Sequence, residues 1–212
     1  MFPMYLEAKR RDKEAKIIRD TVIYKKRTYN YSQAFALAEA LSFFDGGQRR
    51  SNGLLAFHGR SSVFSNFFPC PVTDSNTIFS CSEQMYQHEL CLFLGDAKAA
   101  RSVLLQSDPV EMMRIGKHAL KTNHAKADQW FHLKAREVMT AAVKLKFTQN
   151  NSLRDYLVDI KERFVETNQY DFKWGIGIGL RDNHWMDQSN WKGSNWLGDI
   201  INGIRDDLLD RQ

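Results

Sequence analysis

The chain has 212 residues, of which 43% are hydrophobic and 12% aromatic, enough apolar material for a packed core and too much for a disordered chain. No apolar run approaches about 18 residues, and acidic residues interrupt the basic N-terminus, so we expect neither a membrane partner nor a signal peptide. The net charge of +5 is uneven, because residues 1–60 hold 12 of the 30 lysines and arginines but only 6 of the 25 acidic residues.

The basic N-terminal part is predicted to contain a helix, a hairpin and a second helix. Residues 5–20 alternate acidic and basic side chains, as an exposed helix does. Residues 21–31 have the valine, isoleucine, tyrosine and threonine content of a strand or hairpin arm. Residues 31–44, rich in alanine and leucine, are typical of a helix, and the polar residues 46–53 are interpreted as a linker.

We therefore predict a basic N-terminal extension, residues 1–53, and a main domain, residues 54–212. The positive charge is clustered at Lys9-Arg10-Arg11, Lys25-Lys26-Arg27 and Arg49-Arg50. Two interpretations stay open. Either these clusters attract nucleic acid phosphates, which makes nucleic acid a candidate partner, or they are the solvated face of a helix and a hairpin.

The main domain is predicted to combine several helices with short strands. Ser80-Cys81-Ser82-Glu83 fits a capping box at the start of a helix that reaches about Leu94, and Asp108-Pro109 is a second helix start. The other predicted elements are a strand at 54–57, an ordered loop at 64–71, helices at about 128–147 and from 152, a strand at 164–166 and a last helix with Leu197, Ile200, Ile201, Ile204 and Leu208 on its buried face. The strands are short and scattered, which predicts an α+β fold.

The spacing of glycines, histidines and cysteines excludes several familiar sites. Gly175, Gly177 and Gly179 form G-x-G-x-G, but no amphipathic helix follows, which argues against a dinucleotide site. The six histidines show no metal-ligand spacing and the three cysteines form no C-x-x-C pair, so we expect no metal, cofactor or disulfide. Free thiols are typical of a reducing compartment, which predicts an intracellular, cytoplasmic protein.

Polar residues embedded in aromatic segments are the main chemical signal. They are Arg60 and Asn66 around Phe64, Glu83 near Tyr86, and Asp171 beside Trp174. Tryptophan and tyrosine offer stacking faces for a base, and arginine binds phosphate through two hydrogen bonds. The mixture suits a flat ring bound beside a charged centre, although any one of these aromatics, taken alone, is better explained as core.

An ordered set of motifs covers residues 54–207. In chain order the segments are Phe57-His58-Gly59-Arg60, Phe64-Ser65-Asn66-Phe67-Phe68-Pro69, Ser82-Glu83-Gln84-Met85-Tyr86-Gln87, Met113-Arg114-Ile115-Gly116-Lys117, Trp130 with Val138-Met139 and Lys146-Phe147, Phe164-Val165-Glu166, Asp171-Phe172-Lys173-Trp174-Gly175-Ile176-Gly177, and Trp191-Lys192-Gly193-Ser194-Asn195-Trp196-Leu197-Gly198. Together they resemble the NADAR (YbiA-like) family of N-glycosidases.

The resemblance implies a helix-rich YbiA-like fold and cleavage of an N-glycosidic bond. Some members act on reactive pyrimidine ribosyl phosphates of riboflavin synthesis, and others remove ADP-ribose from guanine bases. The expected partner is therefore a nucleotide-like small molecule, either a ribosyl phosphate or an ADP-ribosyl compound. The residues at the family's active-site positions are Glu83, Trp130, Asp171 and Trp174, and the expected contacts to ribose or phosphate are Arg60, Asn66, Arg114, Lys117 and Asn195.

The two acidic residues of this set suit the implied reaction. Cleavage develops positive charge on the ribose carbon, which the Glu83 carboxylate can stabilise while it takes a proton from water. Asp171 is the candidate partner of the leaving group, and Trp130 and Trp174 the candidates for stacking and excluding water. A structural interpretation also stays open, in which Glu83 closes the capping box, Asp171 caps a turn and Trp130 is core.

One position departs from the family pattern. Many members have a lysine shortly after the glutamate, where this chain has Leu90. Leucine has no amine and cannot attack an opened sugar aldehyde. Three outcomes stay open: hydrolysis without a lysine, a different substrate, or a module that binds ADP-ribose or nucleic acid without cleaving it.

Overall fold

The computed structural model describes residues 16–18, 21–24, 27–30 and 47–211. The chain divides into two compact units, residues 1–46 and 47–212, and each is described by itself. The domain limits predicted from the sequence, 1–53 and 54–212, stay a prediction.

The first unit contains a three-stranded antiparallel sheet. Its strands are β1 (Lys16–Ile18), β2 (Thr21–Tyr24) and β3 (Arg27–Asn30), in that order across the sheet. The hairpin of β2 and β3 confirms the prediction for residues 21–31. The helix predicted over 5–20 is wrong at residues 16–18, because these pair with β2 and include two β-branched isoleucines that favour strands. The rest of that segment and the helix predicted at 31–44 lie outside the described residues.

The second unit combines short strands with longer helices. In chain order the elements are β4 (Gln48–Ser51), β5 (Leu54–Phe57), β6 (Val72–Asp74), β7 (Thr77–Phe79), α1 (Ser82–Leu94), α2 (Ala97–Leu104), α3 (Pro109–Thr122), α4 (His124–Gln129), a π-helical turn (Trp130–Lys134), α5 (Ala135–Gln149), α6 (Asn151–Asp159), β8 (Arg163–Glu166), two 3₁₀ turns (Asn183–Met186 and Gln188–Asn190) and α7 (Trp196–Leu209). In the part of the chain that is described, no helix has the length and apolar character needed to cross a bilayer. The mixed, helix-rich architecture confirms the predicted α+β class.

Most predicted elements of this unit are present, but the predicted linker and the helix predicted from about residue 128 differ from the structure. The linker predicted at 46–53 is wrong over Gln48–Ser51, because these residues form β4 and pair antiparallel with β5. The helix predicted from about residue 128 begins earlier, at His124, and is interrupted by the π-helical turn before α5. Such wide turns are rare in helices and occur frequently at functional sites.

A small mixed sheet forms one wall of the second unit. Its strand order is β4-β5-β8, with β5 and β8 parallel and Phe57 opposite Glu166 at the end of the pair. Ala56 and Val165 are fully buried and belong to one apolar cluster with Ile176, Ile178 and Trp185. The sheet therefore fixes where β8 ends, and with it the position of the Glu166 backbone.

Helix α1 lies at the centre of the helical layer and packs against α2, α3 and α5. It approaches α3 closely at Gly116, where a methyl group would overlap the Gln87 amide and lie 3.2 Å from Leu90 Cδ2. Glycine in a helix interior costs about 1 kcal/mol relative to alanine, so it is retained here for space. The missing side chain lets Gln87 and Leu90 stay buried between the two helices.

Replacing Gly116 with alanine tests this close approach. We expect Gly116→Ala to lower the free energy of unfolding by about 1–3 kcal/mol, because the added methyl overpacks the α1–α3 contact. The matched control is Gly203→Ala in α7, where nothing lies within 4 Å of the added carbon. That variant should be stabilised by about 0.5–1 kcal/mol through helix propensity alone. Urea denaturation of both variants checks the result, and equal stabilisation of the two would contradict it.

Candidate active site

A cavity of about 520 Å³ is lined by residues of α1, α3, the π-helical turn and the loop that follows β8. Its aromatic wall consists of Phe67, Tyr86, Phe131, Tyr170, Phe172 and Trp174. Its charged residues are Glu83, Lys117, Glu166, Asp171 and Lys173. The volume lies within the range of small-molecule sites, and the combination of flat apolar faces with few charges is typical of them.

Glu83 faces this cavity because the helix start is displaced by one residue from the predicted capping box. Helix α1 begins at Ser82, and its N-cap, Cys81, makes no side-chain capping bond. The oxygen that accepts from the Ser80 backbone N–H, at 2.7 Å, belongs to Gln84. The capping interpretation of Glu83 is therefore wrong. Its Oε1 instead accepts from Gln87 Nε2 at 2.7 Å.

Burial makes Glu83 a weaker acid than usual. The residue is only 5% exposed, and burial raises the pKa of its carboxyl from 4.5 to about 7. The Gln87 hydrogen bond lowers this pKa, the negative charge of Asp171 raises it, and the positive charge of Lys117 lowers it. The net effect moves the pKa of Glu83 from the acidic range toward neutral pH.

Glu166 is a second buried carboxyl of the cavity, which the sequence reasoning places in a strand but not in the site. Glu166 as a whole is partly exposed, but its Oε2 atom is buried and has no hydrogen-bond partner in the described part of the chain. Burial, reinforced by the negative charges of Asp171 and Glu83, raises the pKa of this carboxyl to about 8. A carboxylate that directly follows the buried apolar pair Phe164 and Val165 is the sequence signal that points to it.

Asp171 caps a turn and also lines the cavity. Its Oδ1 accepts from the backbone N–H groups of Lys173, at 2.9 Å, and Trp174, at 2.8 Å. The turn-capping interpretation is thus correct for one carboxylate oxygen. The same turn presents the Trp174 ring to the cavity, edge-on to Tyr86 with ring centroids 5.3 Å apart.

Trp130 lies behind the cavity wall and is not among the lining residues. It is only 1% exposed, and its indole Nε1 donates to the Tyr86 hydroxyl at 2.8 Å. The two rings are tilted, with centroids 5.4 Å apart. Trp130 therefore fixes the Tyr86 ring from behind and does not itself reach the cavity. We propose that Tyr86 and Trp174 stack on the ligand instead.

Two of the predicted contact residues, Asn66 and Lys117, do line the cavity. The Asn66 carbonyl accepts from the Glu83 backbone N–H at 3.1 Å, which joins the loop to the start of α1. One residue earlier, the Ser65 carbonyl accepts from the buried amine of Lys146 at 2.8 Å. Burial lowers the pKa of Lys146 to about 8. These two bonds hold the loop against the helices that form the cavity.

The predicted contacts Arg60 and Arg114 lie away from the cavity lining. The Arg60 guanidinium is 3.3 Å from the Asp108 carboxylate, and that of Arg114 is 2.7 Å from Glu111 within α3. Both arginine side chains are more than half exposed, so these ion pairs contribute little stability. Neither arginine has a part in our proposal.

Asn195 is the third predicted contact outside the lining. It is buried and forms hydrogen bonds with the backbone of β8. Its Oδ1 accepts from the Glu166 N–H at 2.9 Å, and its Nδ2 donates to the Phe164 carbonyl at 3.1 Å. Its backbone adopts a left-handed conformation at the start of α7, with φ of 51°. Asn195 therefore positions the strand that presents Glu166 and is not itself at the cavity surface.

Leu90, the residue that departs from the family pattern, lies in the cavity wall and is 1% exposed. Lys117 comes from the neighbouring helix α3 and lines the same cavity. An amine thus reaches the site from α3, although α1 supplies none. Among the described residues, no three His, Cys, Asp or Glu side chains are grouped so that they could hold a metal ion.

Comparison with known proteins identifies relatives over most of the second unit. The model of the NADAR domain family matches residues 56–209. Protein irg-1 of Caenorhabditis elegans is 32% identical over 178 residues, which cover 77% of this chain and 83% of that protein. N-glycosidase R617 of Acanthamoeba polyphaga mimivirus is 24% identical, covering 78% of this chain and 94% of the viral protein.

Two further comparisons concern a longer relative and a solved structure. Riboflavin biosynthesis protein VVA0006 of Vibrio vulnificus is 26% identical over 68% of this chain, but the match spans only 35% of that protein. The NMR structure of the Escherichia coli protein YbiA superposes with a TM-score of 0.60 and 22% identity, covering 80% of this chain and 92% of that one. This likeness shows the fold.

Removing the Glu166 charge should stabilise the protein in a pH-dependent way. The folded protein holds the Glu166 proton up to about pH 8, whereas the unfolded chain releases it near 4.5, so stability falls as pH rises between these values. We expect Glu166→Gln to raise the free energy of unfolding above pH 8 by about 2–4 kcal/mol, and by much less at pH 5.

Thermal unfolding of this variant at the two pH values measures the difference. The control is Glu137→Gln, since the Glu137 side chain is 65% exposed and its removal should have little effect at either pH. A Glu166→Gln variant that is no more stable than the unmodified protein above pH 8 would contradict the burial of this charge.

Proposed function

The chain belongs to the NADAR domain family, and from that premise we propose that it is an N-glycosidase that hydrolyses the N-glycosidic bond of a ribosyl phosphate or an ADP-ribosyl compound. The observation that carries the proposal is the convergence of Glu83, Glu166 and Asp171 on one cavity with aromatic walls. The names of the N-glycosidase and riboflavin biosynthesis relatives support the same reaction class.

The aromatic walls and the two lysines suit a nucleotide-like ligand. Tyr86 and Trp174 offer edges and faces to a flat ring, while Lys117 and Lys173 bring positive charge for phosphate. Lys173 Nζ lies 3.8 Å from the centroid of the Phe131 ring, which holds its charge at the cavity. The base and the phosphate of one ligand thus find separate partners.

The ribose is proposed to lie beside Asn66 and Glu83. Asn66 Oδ1 is buried and lacks a hydrogen-bond partner within the described ranges, so a sugar hydroxyl would satisfy it. As the C–N bond breaks, positive charge grows on the ribose carbon. The ionised Glu83 carboxylate stabilises this charge at short range, and it accepts a proton from the attacking water.

Two substrate classes fit the proposal. An aminopyrimidine ribosyl phosphate places its ring on the aromatic wall and its phosphate at the lysines. ADP-ribosylated guanine uses the same contacts and leaves the guanine near the exposed rings of Tyr170 and Phe172. The basic residues of the N-terminal extension would add attraction to a substrate carried on nucleic acid.

The second candidate function is a module that binds ADP-ribose or nucleic acid without cleaving it. Leu90 favours it, because this leucine occupies the cavity wall where many family members have lysine. Hydrolysis through Glu83 and water requires no amine, so Leu90 alone does not remove catalysis. Turnover decides between the two candidates.

Replacing Glu83 with glutamine tests the N-glycosidase directly. The substrates are an oligonucleotide carrying ADP-ribosylated guanine, aminopyrimidine ribosyl phosphates and NAD, and the measurement is the release of free ADP-ribose or ribose phosphate. We expect the unmodified protein to cleave at least one of them, and Glu83→Gln to lower kcat/KM by about 10²–10⁴-fold.

The matched control for this experiment is Glu137→Gln, which makes the same chemical change on the exposed face of α5. It should retain the activity of the unmodified protein. Full activity of Glu83→Gln would remove Glu83 from the reaction. Binding of ADP-ribose with no release from any substrate would establish the binding module instead.

The dependence of kcat/KM on pH tests the state of Glu83. Because the ionised form is active and its pKa is raised, kcat/KM should increase with pH with a midpoint at about 7. Lys117→Met removes a positive charge that favours the carboxylate, so the midpoint should move to higher pH. Lys121→Met, an exposed position one turn further along α3, is the control and should leave the midpoint unchanged. A midpoint below about 5 in the unmodified protein would contradict this role, since that is the ordinary range of glutamate.

A further inference from the structure

Glu166 is held rigidly at the cavity through its backbone. Its N–H donates to Asn195 Oδ1 at 2.9 Å, and its carbonyl accepts from the Ile176 N–H at 2.9 Å. Its neighbour in the sheet, Phe57, is fully buried on the parallel strand β5. The backbone contacts thus fix the position of Glu166. None of the described residues forms a hydrogen bond with its Oε2 atom.

Buried polar atoms without partners are concentrated at this cavity. Of the five such side-chain atoms found in the described part of the chain, three belong to cavity-lining residues: Asn66 Oδ1, Gln87 Oε1 and Glu166 Oε2. Native proteins rarely leave buried polar atoms unsatisfied, and an exception usually has a functional reason. Gln87 Oε1 lies against Gly116 between α1 and α3, so Asn66 Oδ1 and Glu166 Oε2 are the two atoms whose hydrogen bonding a polar ligand in the cavity would complete.

We propose that Glu166 is a further catalytic residue of this cavity and donates the proton that the departing nitrogen needs. This inference rests on the proposed N-glycosidase function. It assigns the leaving-group role to Glu166 in place of Asp171. Asp171 is less suited, because its Oδ1 already accepts two backbone N–H groups and so serves as an acceptor there.

During cleavage Glu166 gives up one proton and Glu83 takes up one. The bond between the ribose carbon and nitrogen breaks with its electron pair on nitrogen, which takes the proton from the Glu166 carboxyl. Water forms the new bond to the ribose carbon and gives a proton to the Glu83 carboxylate. The products are a free hydroxyl on the sugar and a neutral amine or base. A proton then passes from Glu83 to Glu166 through solvent, which restores both groups.

The electrostatics support the division of roles. Burial raises the pKa of both glutamates. The Gln87 hydrogen bond and the charge of Lys117 lower the pKa of Glu83, whereas the negative charges of Asp171 and Glu83 raise the pKa of Glu166, so an ionised Glu83 favours the protonated form of Glu166. Two carboxyls whose surroundings separate their pKa values are typical of an acid–base pair. Besides Glu83 and Asp171, the titratable groups that line the cavity with Glu166 are His58, Tyr86, Lys117, Tyr170 and Lys173.

The test compares substrates that differ in their need for a proton. The first is whichever ribosyl or ADP-ribosyl compound the unmodified protein cleaves, and the second is 4-nitrophenyl β-ribofuranoside 5-phosphate, whose nitrophenolate leaves without protonation. We expect Glu166→Gln to lower turnover of the first by about 10²–10⁴-fold and of the second by less than about tenfold. Glu83→Gln should lower both.

The pH profile on the first substrate is an independent measurement of the same role. In the unmodified protein, kcat/KM should fall above about pH 8 as Glu166 loses its proton, and this alkaline limb should disappear in Glu166→Gln. It should return in Glu166→Asp, which restores a carboxyl. If the nitrophenyl compound is not cleaved, the alkaline limb alone decides.

Three results would overturn the inference while leaving the proposed function intact. They are unchanged turnover in Glu166→Gln, equal losses on both substrates, and an alkaline limb that persists without the carboxyl. A cooperative thermal unfolding transition shows that each variant is folded. Absence of turnover by the unmodified protein is a different outcome, because it contradicts the proposed function and the role of Glu166 falls with it.

Discussion

The burial of two glutamates beside a third carboxylate is the constraint on which this site depends. The Glu83 side chain and the Oε2 atom of Glu166 are buried, and the charge of Asp171 acts on both carboxyls, so their charged forms are disfavoured. Such an arrangement is unfavourable for folding and persists only where the surrounding structure fixes it. The benefit for chemistry is that a proton donor and a proton acceptor coexist near neutral pH.

The fold supports these carboxyls mainly through their backbone and immediate neighbours. Asn195 holds the strand that ends in Glu166, and the buried Lys146 holds the loop that contacts the start of α1. Gln87 contacts Glu83 directly, in space that Gly116 leaves open on the facing helix. Among the described residues, the Glu83 carboxyl thus accepts one side-chain hydrogen bond, and Glu166 Oε2 has no partner. Both carboxyls are therefore able to exchange protons with a ligand.

Sequence reasoning succeeds where one local pattern decides the outcome and fails where distant segments meet. The helix start near Glu83 is predictable, but its displacement by one residue, which releases Glu83 from the cap, depends on Gln84 reaching carbonyls in the last turn of α2 and just after it. Asn195 and Glu166 are 29 positions apart, so no local pattern reveals their contact. Trp130 is a core residue, one of the two interpretations open from the sequence, yet only the packing places it behind Tyr86.

The most direct measurement is a carbon-13 NMR titration of the glutamate side-chain carboxyls in the unmodified protein. Two resonances should titrate near neutral pH, with midpoints at about 7 and about 8. The first should vanish in Glu83→Gln and the second in Glu166→Gln, which assigns them. Solvated glutamates titrate below about pH 5.5. If every glutamate does so, Glu83 and Glu166 are not in the buried, mutually repelling positions described here, and this account of the site is wrong.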